Sequence, residues 1–392
     1  MKKKAPTKDV EDRAPVADGA EAALVQAPPP EQIYADELAH LAAWDAGARP
    51  PSWRLTPRAV VTFIIGSQGE ALRAAGSSRV IGEKFVGERA LVERCVVTLA
   101  GERGVLLVGE PGTAKSMLSE LLAAAIANDS SLTVQGTAGT TEEHLRYGWN
   151  YSLLIAKGPH LEALVPSPVL AAMRRGAIAR IEEVTRCLPE VQDALVSILS
   201  DRRLSVPELG ALDMAHRGFN VIATANLRDK GVSEMSAALK RRFNFETVAP
   251  IADLARETEL VRRRSRQIVA EAGAPLAVDD AVLEALVTVF RDLRNGRTVE
   301  GWAVEKPSSV MSTAEAVAVA SSIGLAATYF PGDRDVARLV PEYLLGMVMK
   351  DEPKDRDKLL ACWDTTVKHR AESEARLWKQ LHELRRALEG AG

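Results

Sequence analysis

A phosphate-binding pattern between a predicted strand and a predicted helix constrains the fold more than any other feature of this chain. The apolar run GVLLV occupies residues 104–108, the loop GEPGT follows at 109–113, and an alanine- and leucine-rich helix is predicted over 114–127. A loop that ends at a helix N-terminus presents free backbone amides and a favourable dipole to phosphate oxygens. The common pattern is G-x-x-x-x-G-K-[ST], and Ala114 stands where a glycine usually precedes the lysine.

Each residue type in this loop has a use in nucleotide binding. Gly109 and Gly112 permit a tight turn, Lys115 can reach the β and γ phosphates, and the Ser116 hydroxyl can ligate Mg²⁺. The methyl group of Ala114 is the smallest departure from glycine, so the chemistry is expected to survive it. The alternative is a strand-to-helix turn with an incidental Lys-Ser pair, but the long pattern and its strand–helix setting favour nucleotide binding.

A second strand that ends in acids favours hydrolysis over binding alone. The run AIARI at 177–181 leads into Glu182 and Glu183, which places both carboxylates at the carboxyl edge of a parallel sheet, where ligands bind. Glu182 is predicted to hold Mg²⁺ directly or through water, and Glu183 to polarise the attacking water. Aspartate is usual at the first position, and a solvated pair of glutamates at a helix start is the alternative interpretation.

Two further segments carry candidates for the same chemistry. The run FNVIATA at 219–225 is followed by Asn226, whose amide can orient the lytic water. Arg241 and Arg242 lie between a predicted helix and the run FNFETV at 243–248. An exposed arginine there can act as an arginine finger on a neighbouring subunit's phosphates. A solvated basic cluster at a helix C-terminus is the alternative.

The order of elements predicts an α/β core followed by a helical region. Helix-like segments separate most of five strand-like runs, as in a parallel sheet; these runs are 104–108, 132–136, 177–181, 219–225 and 243–248. Helices are also predicted over 36–46, 57–75 and 88–100, and no strand is predicted from 253 to 392. The first 30 residues mix alanine, proline and charge without periodicity, which indicates a disordered tail.

Composition excludes several classes of protein. Lysine and arginine number 50 against 53 aspartates and glutamates in 392 residues, so charge gives no case for nucleic acid as the main partner. Three widely spaced cysteines show no metal-binding spacing and suit a reducing compartment. No run reaches the length of a membrane span, and no apolar stretch follows MKKK. A cytoplasmic protein is expected.

The order of these motifs resembles that of the AAA+ ATPases, and within them the MoxR-type family of the clade with a helix-2 insertion. The stretch FVGERALVERCVVTLAGERGVLLVGEPGTAKS at 85–116 is similar to that family's entry into the fold, including the alanine before the lysine. The stretch IEEVTRCLPEVQDALVSILSDRRLSVPELG at 181–210 is similar to its Walker B strand, the following helix and a hairpin. The stretch FNVIATANLRDKGVSEMSAALKRRF at 219–243 is similar to its sensor 1 and arginine-finger region.

The resemblance implies a role for each candidate residue. Glu182 and Glu183 would be the Walker B acids, Asn226 sensor 1, and Arg242 the arginine finger, with Arg241 as the fallback. Lys115 and Ser116 would be the Walker A pair, and residues 85–87 would lie near the adenine. The full set expected to bind the nucleotide is Phe85, Val86, Gly87, Gly109, Glu110, Pro111, Gly112, Thr113, Ala114, Lys115, Ser116 and Met117. Ser116 and Glu182 would hold Mg²⁺.

The resemblance also implies a division of the chain. The expected parts are a disordered tail (1–30), an N-terminal helical segment (31–79), an AAA+ core (80–250), a helical lid (251–345) and a C-terminal helical extension (346–392). An insertion at about 140–168 is expected to point toward a ring pore or a client. The lid departs from the family at Met311, near the expected place of a sensor 2 arginine, and Lys306 is a candidate replacement.

The function implied is that of a Mg²⁺-dependent ATPase that remodels or activates a client protein in a chaperone-like way. The chain is expected to form a homo-oligomeric ring, a hexamer by the resemblance, with a von Willebrand factor A-domain protein as partner. A nucleotide-dependent assembly scaffold with negligible turnover is the alternative, because Glu182 and Met311 depart from the family pattern.

Overall fold

Three helices and a hairpin precede the core in the computed structural model, which describes residues 26–226, 233–274, 278–330, 336–373 and 376–389. They are α1 (Pro30–Ile33), α2 (Ala35–Trp44), α3 (Pro57–Ile65), β1 (Ala71–Ala74) and β2 (Ser77–Val80). The helix predicted over 57–75 is therefore too long. It ends before Gly66, whose φ of 82° leaves the helical region. The segment 31–79 is not wholly helical either, because β1 and β2 pair in antiparallel fashion.

The core then alternates strand and helix. Its elements are α4 (Arg89–Ala100), β3 (Gly104–Val108), α5 (Lys115–Ala127), β4 (Thr133–Gln135), α6 (Glu142–Leu145), β5 (Tyr147–Trp149), α7 (Tyr151–Lys157), β6 (Leu164–Pro166), α8 (Pro168–Arg175), β7 (Ile178–Glu182), α9 (Pro189–Asp201), β8 (Arg203–Val206), β9 (Ala211–Met214), β10 (Asn220–Ala225), α10 (Ala237–Lys240) and β11 (Phe243–Thr247).

Five of these strands form one parallel sheet in the order β11-β3-β10-β7-β4, which confirms the predicted fold class. Every residue of β3, β7 and β10 is buried, as expected for strands covered on both faces. Side chains alternate between faces along a strand. Val105 and Leu107 of β3 accordingly join the hydrophobic core on one side, and Leu106 and Val108 join the core on the other.

The predicted insertion contains a small hairpin of its own. Strands β5 and β6 pair in antiparallel fashion and bracket α7. All seven residues of α7 are exposed or half-buried, although the helix carries Leu153, Leu154 and Ile155. Ile155 is 86% exposed. The sheet therefore does not depend on α7 for its core.

A helical region follows the sheet. Its helices are α11 (Leu254–Glu271), α12 (Asp280–Asn295), α13 (Thr313–Tyr329), α14 (Val336–Val348), α15 (Asp355–Cys362), α16 (Lys368–Glu372) and α17 (Arg376–Glu383). One hydrophobic core, which includes Phe290 and Trp363, joins the first of these helices to the last. A capping box between Ser312 and Glu315 fixes the start of α13. Within the described ranges, no helix has both the length and the apolar character needed to cross a bilayer.

Candidate nucleotide-binding site

The loop between β3 and α5 contains two residues with positive φ. Gly112 has φ 73°, and a Cβ there would lie 2.3 Å from Ser312 Oγ, so a side chain would collide with the start of α13. Ala114 adopts φ 66° and ψ 26°, a left-handed conformation that costs a non-glycine residue about 1–2 kcal/mol. The backbone explains why glycine is usual at this position. Ala114 keeps the loop conformation at a small energetic cost.

Lys115 is the first residue of α5, and its side chain curls into the loop. The ammonium donates to the carbonyl oxygens of Gly109 and Glu110, each at 2.9 Å, and the residue is only 6% exposed. A buried ammonium held by two loop carbonyls is suited to an anionic ligand. The predicted position of Lys115 in a phosphate-binding loop fits this geometry.

Glu182 ends β7 beneath this loop and is surrounded by hydrogen-bond donors. Its Oε2 accepts from the hydroxyls of Ser116 (2.7 Å) and Thr224 (2.8 Å). Its Oε1 accepts from Ser119 (2.6 Å) and from Arg180 (2.9 Å). Burial raises the pKa of the Glu182 carboxyl, but the hydrogen bonds from Ser116 and Ser119 and the charge of Arg180 outweigh it, so the pKa lies below its ordinary value. Glu182 is therefore an anion at neutral pH.

The Ser116–Glu182 pair fits a magnesium ion. Mg²⁺ prefers oxygen ligands, keeps several waters and needs only one or two protein groups besides a phosphate. Ser116 is an exposed residue, and its hydroxyl oxygen can offer a lone pair to the ion while its O–H group donates to Glu182. The bound nucleotide and ion would supply the reactive phosphate and the charge that polarises it.

Glu183 contrasts with its neighbour. It has a left-handed backbone (φ 54°), its amide donates to Thr224 Oγ1 at 2.9 Å, and it lies beside a cleft lined by Gly136 and Arg186. Its buried Oε2 accepts no hydrogen bond from the described residues, and Arg186 Nε approaches it only to 3.6 Å. This carboxylate keeps acceptor capacity that Glu182 has already used.

Asn226 follows the last residue of β10, the strand between β3 and β7. It is 2% exposed. The register of β10 pairs Ala225 with Val108, so Asn226 lies at the same edge as the phosphate-binding loop and the two glutamates. The structure therefore brings Lys115, Ser116, Glu182, Glu183 and Asn226 together at one edge of the sheet.

The two arginines lie at the opposite edge. Arg242 precedes β11, and its carbonyl accepts from the amide of Gly104, the first residue of β3. Five strand residues at about 3.3 Å each separate this point from the phosphate-binding loop, a distance of about 16 Å. Arg242 bonds to Ser200 Oγ at 2.7 Å, and both Arg241 and Arg242 line an open groove on this side. The arginines are remote from the loop of their own chain.

A pocket next to the loop fits the predicted adenine site. Phe85, Val86 and Met117 line it together with loop residues and Ile251. Gly87 packs on the Phe85 ring, since a Cβ there would lie 2.2 Å from the ring. The pocket is largely apolar, as expected for a site that takes a base.

The C-terminal helical region contributes a residue that the sequence did not single out. Met311, near the expected sensor 2 position, is 1% exposed within the core of that region, and Lys306 is exposed beside Gly296. Arg294 instead lines the pocket; its guanidinium donates to the Met311 carbonyl at 3.1 Å and to the fully buried Glu257 at 2.8 Å and 3.0 Å. Only folding of α12 against α13 reveals this arginine.

Sequence reasoning also missed the partners of Glu182. Arg180 and Glu182 are two residues apart on a strand and so share one face, a signal that was available in the sequence. Ser119 and Thr224 come from α5 and β10, and only the sheet topology brings them to the same carboxylate.

Comparison with known proteins identifies two family matches. Residues 104–243 match the AAA domain of the dynein-related subfamily, and residues 255–389 match the YehL-like AAA+ ATPase C-terminal domain. The chain is 47% identical over 368 residues to the uncharacterized protein YehL of Escherichia coli K12, a match that covers 93% of this chain and 98% of that protein.

More distant similarity extends to other proteins. The uncharacterized protein SH1500 of Staphylococcus haemolyticus is 28% identical over 244 residues, covering 62% of this chain and 84% of that protein. Among solved structures, NtrX from Brucella abortus in complex with ATP is 16% identical with a TM-score of 0.46, covering 79% of this chain and 70% of that one.

Proposed function

The chain belongs to the YehL-like AAA+ ATPases, and from this membership we propose that it hydrolyses ATP with Mg²⁺ as a MoxR-type ring that remodels or activates a client protein. The observation that carries the proposal is the contrast between two adjacent glutamates. Glu182 accepts four hydrogen bonds, one of them from the candidate metal ligand Ser116, whereas Glu183 keeps an oxygen without a hydrogen bond from the described residues. One acid is suited to hold the metal side and the other to accept a proton from water.

In this proposal each residue of the carboxyl edge has a separate task. Lys115 exchanges its two loop carbonyls for the β and γ phosphates. Thr224 joins the two acids, because its hydroxyl accepts from the Glu183 amide and donates to Glu182 Oε2. Asn226 orients the attacking water, and Glu183 polarises it.

We further propose that the arginine finger acts between subunits. Arg242 lies at the amino edge of the sheet, about five strand residues from its own loop. An arginine so placed can serve a neighbouring subunit's phosphates in a closed ring, where one face of each subunit meets a different face of the next. A hexamer is the ring that the family resemblance suggests, and Arg241 in the same groove is the fallback finger.

The client-contact role belongs to the insertion in this proposal. Exposed apolar residues on α7 favour a protein contact over a packing role, since Tyr151 and Ile155 are 62% and 86% exposed. A von Willebrand factor A-domain protein remains the proposed partner, and the cytoplasm the proposed location, from the resemblance and the composition.

A nucleotide-dependent scaffold with negligible turnover is the second candidate. The observation that favours it is the burial of Met311 in the lid core, which leaves no charge from that position for the phosphates. Steady-state turnover separates the two functions, since the scaffold would bind ATP and release little phosphate.

The experiment that tests hydrolysis is the substitution Glu183→Gln. This amide keeps the shape of the side chain but cannot accept a proton from water, so ATP should bind with parental affinity while phosphate release falls by about 100-fold or more. Glu190→Gln, at an exposed position in the first turn of α9, is the matched control and should behave as the parent. Parental turnover of Glu183→Gln would show that this residue is not the catalytic base.

A further inference from the structure

Arg180 is a charged residue buried in the five-stranded sheet. It lies on β7, two residues before Glu182, and is 7% exposed. We propose that Arg180, with Ser119, clamps Oε1 of Glu182, so that this acid presents only Oε2 to Ser116 and the magnesium side. Arg180 is then a positioning residue for the metal half of the nucleotide site. The inference rests on the proposed function in that it takes the loop to bind a nucleotide with Mg²⁺.

The hydrogen bonds divide the carboxylate into two ends. Oε1 is held by Arg180 Nη2 at 2.9 Å and by Ser119 Oγ at 2.6 Å, and both of these hydrogen bonds are buried. Oε2 is left to the hydroxyls of Ser116 and Thr224, at 2.7 Å and 2.8 Å. The two ends of one side chain thus have different partners, and only one end reaches the residue that would ligate the metal.

The clamp is itself held rigidly. Arg180 Nε donates to Ser119 Oγ at 3.0 Å, Nη1 to the Ser130 carbonyl at 2.9 Å, and Nη2 also to the Ser116 carbonyl at 3.2 Å. Every guanidinium nitrogen therefore has an acceptor within the core. A planar guanidinium fixed by three elements is suited to locate a carboxylate oxygen, which a flexible lysine could not do as well.

The clamp by Arg180 and Ser119 compensates for the extra length of a glutamate side chain at position 182. A methylene adds about 1.5 Å to the reach of the side chain compared with aspartate, the usual acid here. An unrestrained glutamate at the end of β7 would crowd Ser116 and the metal. Attraction of Oε1 toward Arg180 draws the carboxylate back and takes up this extra length. The neighbouring positive charge also offsets the cost of burying the anion.

A purely structural ion pair is the competing explanation. Arg180 also connects β7 to α5 and to the loop at Ser130, so its loss will reduce stability in either case. The two explanations differ in what happens to magnesium. A positioning residue affects the gain in nucleotide affinity that Mg²⁺ provides, whereas a structural residue affects binding with and without the metal alike.

The experiment measures ADP affinity by calorimetry, once with Mg²⁺ and once with EDTA, on the full chain. The magnesium gain is the ratio of the ADP affinity with Mg²⁺ to the affinity with EDTA. In Arg180→Met the affinity in EDTA should stay within about 2-fold of the parent, while the magnesium gain falls by about 10-fold, the usual cost of losing a residue behind a metal ligand. In Ser119→Ala, a smaller change, the gain should fall by about 3-fold. Arg174→Met is the control: it removes a bidentate, half-buried ion pair with Asp213, away from the nucleotide site, and should keep the full gain.

A double variant tests the argument from length. Glu182→Asp alone should also reduce the gain in ADP affinity that Mg²⁺ provides, because Arg180 draws the shorter acid away from Ser116. Arg180→Met with Glu182→Asp should restore at least half of the gain on a logarithmic scale, since an aspartate needs no clamp. A structural ion pair predicts no such recovery.

Four results decide the matter. Recovery in the double variant supports the clamp. An unchanged gain from Mg²⁺ in Arg180→Met, or an equal loss with and without the metal, overturns it. If Arg180→Met does not fold, the gain in Ser119→Ala decides, and an unchanged gain there overturns the clamp. If the parent chain binds no ADP, the proposed function and this inference both fail. If the parent binds ADP and the variants keep the full gain, only this inference fails.

Discussion

The two edges of the central sheet differ in how much of a nucleotide site each one holds. The carboxyl edge has the loop at 109–116, Glu182 and Glu183. Lys115 and Glu182 are buried there, and the Ser116 hydroxyl donates to Glu182. The amino edge has Arg241 and Arg242 in an open groove. The first edge groups the residues proposed to bind the nucleotide, and the second carries two arginines that lie far from the loop of their own chain. On the proposed function, one chain is sufficient for binding, whereas full activity needs two.

The edges also differ in electrostatics. Glu182 at the carboxyl edge accepts four hydrogen bonds, so its position is fixed before any ligand arrives. Arg242 at the amino edge bonds to the Ser200 hydroxyl and to the Ala238 carbonyl, both of them neutral acceptors. An arginine on neutral acceptors exchanges them for a phosphate at low cost, since bonds to a charged group are stronger. Substitutions at each edge test this difference.

The largest effect is expected at the carboxyl edge from Lys115→Ala. This change removes an ammonium that donates two hydrogen bonds inside the loop. Loss of a charged group facing the phosphates should weaken ATP binding by about 100-fold or more. Calorimetry or a fluorescent nucleotide measures the loss, and Lys157→Ala on the exposed helix α7 is the control. Full-affinity ATP binding by Lys115→Ala would show that the loop at 109–116 does not bind the phosphates.

Arg242→Ala should leave binding intact and reduce turnover. A finger in trans contributes about 10³–10⁵ to the rate, and the arginine lies too far from its own loop to affect affinity. Phosphate release by the isolated variant, with ATP affinity measured in parallel, checks both halves of this expectation. Arg241→Ala should show the milder defect. If Arg242→Ala hydrolyses ATP at the parental rate, while Arg241→Ala does not, the finger is the other arginine.

A smaller effect on ATP turnover is expected from removal of α7, which lies in the insertion and belongs to neither edge of the sheet. Replacing residues 151–160 with a short glycine linker removes α7 but keeps β5 and β6, whose pairing begins at Trp149 and Leu164. Basal ATP turnover and the unfolding midpoint should stay close to parental values, because α7 buries none of its residues. Unfolding of this variant would show that the insertion supports the core.

The smallest effect is expected from Ala114→Gly. Relief of the left-handed conformation is worth about 1–2 kcal/mol, and the extra freedom of glycine in the unfolded chain offsets about 0.4–1 kcal/mol. Urea denaturation should therefore show a gain of about 0.5–1 kcal/mol with unchanged nucleotide affinity. Ala124→Gly, inside α5, should instead lose about 1 kcal/mol. A loss in Ala114→Gly would mean that the methyl group stabilises the loop.

The sequence predicts the sheet well because five apolar runs carry their own signal. Each run lies within one or two residues of a strand of the structure, from β3 to β11. It does not predict the hairpin at 71–80, because exposed strands lack that apolar signal; all of β2 is exposed. Patterns also place Glu182 and Glu183 but not their partners. The roles of Arg180 and Arg294 depend on which side chains the fold brings beside them.

The division of the site between chains is tested most directly by mixing two inactive variants, Glu183→Gln and Arg242→Ala. In a mixed ring some interfaces join an intact Glu183 from one chain to an intact Arg242 from the next. In an equal random mixture about one quarter of the interfaces of a head-to-tail ring should be whole, so turnover should rise toward about a quarter of the parental rate. Mixed rings that form with ATP but remain as inactive as either variant alone would contradict the account.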